Sequence, residues 1–399
     1  MRITTANAFD TGIDNLSRRH SEMSDLQNQI SSGKRVTRAS DDPAAAARAE
    51  RALASLSQAT NSERAVEASR VAMLQTESAL GDANQLLQRA RELVVAAGNP
   101  SLGDSDRKGI AGELRSLREA LVGLANQDNG AGTYLFGGQG ATQKPFLDSA
   151  GGIQYAAVAG QTLTESNSSL PLSTDGRAVW LSARTGNGVF VTSAAPGVAD
   201  AIIDSGTVVD PAAVTGADYT LQFTVSGSTT TYAILRGGAP TAVVADPYVA
   251  GRAIVVDGMS FTVSGTPANG DQFSVAPSTP TLSVFDTLDR AVAALGTSGR
   301  TGAQVAQSNA EGLRDLDSVM AAVRGARSAA GQVLNRIDTQ SDQLGSQKLA
   351  AQTARSNAED VDLVHAISEF QLKQTGYDAA LKSYAMVQRL SLFQYVNGN

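Results

Sequence analysis

Asp362, His365 and Glu369 are spaced so that a helix would carry all three on one face, a set suited to metal ligation or proton transfer. An apolar seam runs through the same stretch, so a solvated or interfacial helix face explains these residues more simply. The chain has one other histidine, His20. It falls on an apolar stripe, where a tolerated polar seam position is a simpler reading than a pH-sensitive one. Gly33-Lys34-Arg35 lacks the upstream Gly and the following Ser or Thr of a phosphate loop. The glycine-rich stretch 130–140 lacks dinucleotide-fingerprint spacing and reads as a turn entering a strand. No Gly-x-Ser-x-Gly nucleophile elbow occurs. The absence of cysteine excludes disulfides, thiolate zinc sites, iron–sulfur clusters and thiol nucleophiles. Asn15-Leu16-Ser17 and Asn167-Ser168-Ser169 match the glycosylation sequon, a pattern frequent by chance. Trp180 reads as a core residue. The expectation is a protein with no catalytic residue, no metal and no cofactor.

The elements that would position these residues follow from composition. A chain of 399 residues suggests two or three domains, and 42% apolar with 18% charged residues fits a folded protein. The net charge of −7 argues against nucleic acid as the main partner. No stretch approaches the roughly 18 apolar residues of a membrane span. Met1-Arg2-Ile3-Thr4-Thr5 has neither the apolar core nor the cleavage site of a signal peptide. The averages conceal a division. Residues 146–282 hold ten of the 19 aromatics and eight of the 11 prolines, and carry four Arg, no Lys and ten acids. That segment therefore holds −6 of the net charge. Two flanks of similar composition around a different middle read as an inserted domain.

The flanks have helical periodicity. Ile13, Leu16, His20, Met23, Gln27 and Ile30 step by three and four, and Gly33 is placed to end that helix. Ser40-Asp41-Asp42-Pro43 reads as a helix start, with a capping side chain, negative charge at the dipole's positive end and Pro in the first turn. That helix extends to about residue 97, and another spans about 104–127. Beyond the middle, 283–296 and 302–357 read as helix. A last helix from about 358 to 395 carries Leu363, Ile367, Phe370, Gln374, Tyr377, Leu381 and Tyr384 in a 4-3-4-3-4-3 rhythm. At ~1.5 Å per residue it would run roughly 57 Å, a length suited to a rod.

The middle reads as β. Short β-prone runs at 153–158, 178–183, 219–225, 231–236, 253–256, 260–263 and 272–275 are separated by turn residues. Asp257-Gly258 is a favoured two-residue hairpin turn, and Tyr219 to Val225 alternates apolar and polar positions.

Four motifs carry a family resemblance. Ile30-Ser31-Ser32-Gly33-Lys34-Arg35-Val36 followed by Ala39-Ser40-Asp41-Asp42-Pro43-Ala44-Ala45 resembles the segment joining the first two helices in the flagellin superfamily. Three others resemble hook-associated proteins: Thr133-Tyr134-Leu135-Phe136-Gly137-Gly138 with Pro145-Phe146, Gly258 to Phe273, and the tail Ser383 to Val396. The first and last of these three are similar to the hook-associated protein 3 family. The resemblance covers both flanks, about 260 residues, and the end of the insert, whereas 150–250 match nothing familiar.

The resemblance implies a mainly α fold: a flagellin-like helical coiled-coil rod built from both chain ends, with an inserted β-rich outer domain. The expected division is 1–40 and 358–399 as terminal inner-core helices, 41–145 and 283–357 as the rod, and 146–282 as the outer domain. The terminal helices would lie antiparallel. Their seams are Ile13, Leu16, Met23 and Ile30 on one, and Leu363, Ile367, Phe370, Tyr377, Leu381 and Tyr384 on the other. Net charges of +2 for 1–40 and −2 for 356–399 would favour the pairing modestly. The implied role is an adapter layer joining hook to filament in the bacterial flagellum. Its partners would be copies of itself, hook-associated protein 1, flagellin and an export chaperone, with no nucleic acid and no membrane insertion. The protein would be extracellular, secreted without a cleavable signal. Two alternatives stand beside this reading: a flagellin-type filament subunit, and a helical stalk displaying a β adhesin or glycan-binding domain.

Overall fold

The computed structural model describes residues 5–396 except 131 and 165–168, and side chains between 10 and 386. The first two residues of the second sequon, Asn167 and Ser168, lie outside the described residues, as do the side chains of the tail motif from 387 onward. The helices are α1 (Thr5–Ser32), α2 (Pro43–Ala97), α3 (Asp104–Ala125), α4 (Gly176–Trp180), α5 (Val284–Gly296), α6 (Gly302–Glu359) and α7 (Leu363–Val396). The strands are β1 (Phe146–Ser149), β2 (Gly152–Tyr155), β3 (Phe190–Ala194), β4 (Ala201–Ile203), β5 (Thr207–Val208), β6 (Tyr219–Ser226), β7 (Thr229–Arg236), β8 (Ala239–Pro240), β9 (Asp246–Pro247), β10 (Ala253–Val256), β11 (Met259–Gly265) and β12 (Gln272–Pro277). Long helices at both ends and β structure in the middle match the fold class read from the sequence.

The chain divides into two compact units, Met1–Arg64 with Gln340–Asn399, and Ala65–Thr339. Within the second unit α2 and α6 run antiparallel, tied by Arg70–Asp338 at 2.6 Å, Glu77–Arg327 at 2.6 Å and Arg91–Asp317 at 2.7 Å. Their core is shared with α3 and α5 and includes Leu80, Leu87, Leu114, Leu121, Leu288, Leu316 and Val323. Ser283 begins α5 by accepting from the Phe285 and Asp286 amides. In the β part, β12 and β6 sit centrally in an antiparallel sheet ordered β3-β12-β6-β7-β8, and β11 lies between β10 and β4 in another. Tyr219, Leu221 and Phe223 turn inward from β6, as alternation predicts. Val256 pairs with Met259 across Asp257-Gly258, whose φ angles of 41° and 77° identify the two-residue hairpin turn.

Two sequence expectations are corrected by the structure. Residues 178–183 were expected as a strand. Instead the Asp175 carboxylate accepts from the Ala178 amide and caps the short helix α4. That helical turn delivers Val179 and Trp180 into the helical core. Trp180 stacks on Phe285 at 5.8 Å and 18°, with the edge of Phe136 at 5.3 Å and that of Phe146 at 6.5 Å. Consequently Phe146, Val179, Trp180 and Ala183 pack with the helices, whereas the separate apolar core of the larger sheets runs from Phe190 to Val275.

The second correction concerns the last helix, which begins at Leu363 and not at 358. Asp362 accepts from the Val364 and His365 amides, which starts α7 after a break without proline.

A buried cation braces the helical core. Arg118 is 8% exposed and pairs with Asp148 at 2.6 Å and Asp289 at 2.7 Å. The Arg118 guanidinium in turn holds the Asp148 carboxyl below its ordinary range. Arg118→Met is expected to destabilise the protein by about 2–3 kcal/mol in a urea titration, less than a fully buried pair because both carboxylates are half in water. A loss below ~0.5 kcal/mol would rule out a bracing role.

Candidate assembly interface

In the first unit, α1 and α7 lie side by side. Glu22 meets Lys373 at 2.8 Å, and the rings of His20 and Tyr377 are 5.9 Å apart. Gly12 faces the Tyr384 ring, and Gly376 faces the Arg19 guanidinium; a Cβ on these glycines would come within 3.3 Å and 2.9 Å of them. Contacts descend α7 as they ascend α1, so the helices are antiparallel. Each glycine costs helix propensity but lets a large side chain of the opposite helix approach. Lys373 also reaches Glu369 at 3.6 Å one turn away. The pairing lowers the Glu22 pKa through its hydrogen bond to Lys373, and raises that of Lys373.

The seam is covered unevenly. Leu16, Met23 and Ile30 of α1 and Phe370, Tyr377 and Tyr384 of α7 are half-buried. Ile13 is 52% exposed, and Leu363, Ile367 and Leu381 are 48%, 45% and 42% exposed. His20 and Gln27, counted on the stripe, are exposed, while Leu26 is buried at 8%. Sequence periodicity missed Leu26 because a seven-residue rhythm drifts around a straight helix. Apolar residues outside the seam, Val364, Leu372 and Met386, are also exposed.

The residues around Gly33 build a clamp between the chain ends. Gly33, at φ 70°, ends α1, a conformation that costs glycine least. Its carbonyl accepts from the Val361 amide, and the Arg35 amide donates 2.7 Å to the Glu359 carbonyl. Lys34 pairs with the Glu359 carboxylate at 3.2 Å, and Arg35 bonds the Ala358 carbonyl at 3.0 Å and the Asp42 carboxylate at 3.3 Å. These bonds occupy the backbone between α6 and α7, which is why α6 stops at Glu359. Asp41 accepts from the Arg38 and Thr37 amides and the Thr37 hydroxyl. Asp42 caps α2 by accepting from the Ala45 amide at 2.9 Å, with Pro43 as the first helical residue.

Backbone donors, Arg38 and then Thr37, hold the Asp41 carboxyl below its ordinary 3.8; the Ala45 amide and then Arg35 do the same for Asp42. A carboxylate with a depressed folded pKa stabilises the fold above its unfolded value and ceases to do so as pH falls through the folded value. The contributions of the Asp41 and Asp42 caps are therefore expected to be lost as pH falls below 3.8. Carboxyl-carbon NMR titration checks this: midpoints at or above 3.8 for Asp41 and Asp42 would contradict the capping roles.

The other motif residues have structural roles. Leu135 and Phe136 are fully buried in the helical core, Gly137 is buried and Tyr134 half-buried. A Cβ on Gly137 would come within 2.9 Å of Ala141 and 3.1 Å of the Tyr134 carbonyl. Residues 132–140 form turns with short bridges and not a strand. Of Asp362, His365 and Glu369, Asp362 caps the start of α7, and His365 is 3.9 Å from Glu369 with its side chain 78% exposed. Among the described residues no His, Cys, Asp or Glu cluster is arranged to hold a metal, and no helix is long and apolar enough to cross a membrane.

Comparison with known proteins follows the same division. The models of the bacterial flagellin N-terminal and C-terminal helical regions match residues 3–141 and 313–396. The model of the flagellar hook-associated protein 1 D2-like domain matches 195–277. Flagellar hook-associated protein 3 of Escherichia coli is 26% identical over 99% of both chains. Its Salmonella typhimurium namesake is 37% identical over 155 residues, 38% of this chain and about half, 48%, of that protein. A crystal structure of Xanthomonas campestris FlgL is similar at a TM-score of 0.68 and 30% identity, over 77% of this chain and 99% of that one. Hook-associated protein 3 of Legionella pneumophila has the same fold, with a TM-score of 0.71 over 77% of this chain and 97% of that one.

Proposed function

The chain belongs to the hook-associated protein 3 (FlgL) family of the flagellin superfamily, and on that premise we propose that it is the structural subunit that joins hook to filament in the bacterial flagellum. The observation that carries the reading is the match to hook-associated protein 3 across 99% of both chains. The partly covered α1–α7 seam supports it, because exposed Leu and Ile on a paired helix are what neighbouring subunits would bury. Copies of the chain would form one layer. Head-to-tail contacts that do not close on themselves give a helical array, so partners must limit growth. Those partners are hook-associated protein 1 on one side and flagellin on the other, with a chaperone during export. The subunit is extracellular at the hook–filament junction. Its role is mechanical and not catalytic: Asp41, Asp42 and Asp362 are engaged as caps, and Glu22, Glu359 and Glu369 in ion pairs. The segment with a β core of its own, from Phe190 to Val275, is the outer domain.

A strain lacking this protein tests the reading. Complete hooks with flagellin lost to the medium, restored by the intact gene, are the expected result. Normal filaments on the deleted strain would refute the junction role. Purified chain that polymerises alone into long filaments would favour a flagellin instead.

A further inference from the structure

The β-rich part meets the helices through polar groups aligned on one side of α6. Thr301, just before α6, and Gln304, Gln307, Glu311, Arg314 and Ser318 recur at steps of three and four, the spacing of a single helix face. The Thr301 hydroxyl donates to the Ala199 carbonyl, and Gln304 donates to the Val198 carbonyl at 3.2 Å. Gln307, 7% exposed, accepts from the Ile203 amide at 2.9 Å. Arg314 donates to the Thr192 carbonyl at 2.9 Å, and Ser318 to that of Arg184. Glu311 steadies Gln307 at 2.7 Å, and the buried Asp315 holds Arg314 and Arg290 at 3.0 Å each. All five bridging bonds join a side chain of this row to backbone between 184 and 203.

The chain itself passes between the two parts through 183–189 and 278–282. Ala183 and Leu282 exchange amide-to-carbonyl bonds of 3.0 and 2.9 Å, and the Thr185 amide reaches the Thr279 carbonyl. The apolar cores on the two sides share no residue. A cavity of about 370 Å³ lies beside the row, lined in part by Val191, Ser193, Ala294, Glu311 and Arg314.

We propose that this polar row is a latch. It holds the outer domain in one orientation, and it releases the domain as a body about the 183–189 and 278–282 segments without unfolding either core. Water replaces each bond on opening, so the net loss per bond is small, whereas an apolar joint would expose its whole surface. Opening of this kind is a sub-global event below the free energy of complete unfolding. The latch stands on this geometry alone, whichever role the chain has in the flagellum.

The Ile203 amide reports the event directly. Residue Ile203 is 3% exposed, and the acceptor of its amide is a side chain of the latch. Phe223, 1% exposed with its amide bonded to the Asp271 carbonyl, lies within the β core and serves as reference. In residue-resolved hydrogen exchange on the full chain, Ile203 is expected to exchange about 100-fold or more faster than Phe223. Gln304→Ala with Ser318→Ala, neither of which touches Ile203, should accelerate it about tenfold again while leaving Phe223 unchanged. Exchange of Ile203 no faster than Phe223 would overturn the latch. So would an Ile203 rate indifferent to the remote pair. Should the pair also speed Phe223, Gln304→Ala alone is measured against the same two criteria.

Discussion

Leu381→Asp is expected to leave residues 65–339 folded and to prevent the subunit from entering the flagellar layer. Leu381 is 42% exposed on α7, beside Tyr377 and Tyr384, which are half-covered by α1. Completing the burial of a leucine contributes on the order of 1–2 kcal/mol. Burying a carboxylate there adds a desolvation cost. A combined loss of about 3–4 kcal/mol per contact raises the concentration needed for assembly by roughly 100- to 1,000-fold. Ser383→Asp, exposed on a different face of the same helix, is the control. Complementation of the deletion strain and co-sedimentation with hook–filament particles read the outcome. Normal incorporation of Leu381→Asp would remove Leu381 from the seam.

Trp180→Ala is expected to cost about 3–5 kcal/mol, the range for truncating a buried aromatic residue. Trp180 is fully buried and is ringed by Phe136, Phe146 and Phe285, which come from three segments of the chain. The loss of the ring would leave a cavity bounded by these rigid neighbours, with little means of closing it. The indole N–H has no acceptor among the described residues. Trp180→Phe therefore removes an orphaned donor along with part of the ring volume, and the two effects partly cancel, leaving a cost below about 1.5 kcal/mol. Because Trp180 is the chain's only tryptophan, unfolding is followed by circular dichroism in urea and not by tryptophan fluorescence. Equal losses for Ala and Phe would show that packing is not what Trp180 supplies.

Much of the secondary structure was legible because it is written at short range. A 3.6-residue apolar period with Pro43 and Gly33 at its limits needs only neighbours within a turn or two to become a helix. Alternation from Tyr219 and the Asp257-Gly258 turn fixed a strand and a hairpin on the same terms. Composition separated the β-rich middle from the helical flanks, and the motifs around Gly33, Asp42 and Phe136 identified the family. The α7 seam was legible as a rhythm, although its degree of exposure was not.

Tertiary structure decided what depends on residues far apart in the chain. Residues 178–183 have a β-prone composition, yet a cap from Asp175 and burial against Phe285 make the first part a helical turn. Periodicity placed the end of the long helix near 357, but its stop at Glu359 follows from Arg35, more than 300 positions earlier, which takes the Glu359 carbonyl while Gly33 takes the Val361 amide. Arg118 reads as one more surface charge on α3 until Asp148 and Asp289 close on it. The polar row from Thr301 to Ser318 looks like a solvated helix face, and only the backbone of 184–203 laid against it makes it a joint. Local periodicity determines which elements form. Which faces are buried and which polar groups are paired is set by contacts across 30 to 320 positions, and a pattern spanning one or two helical turns carries no trace of them.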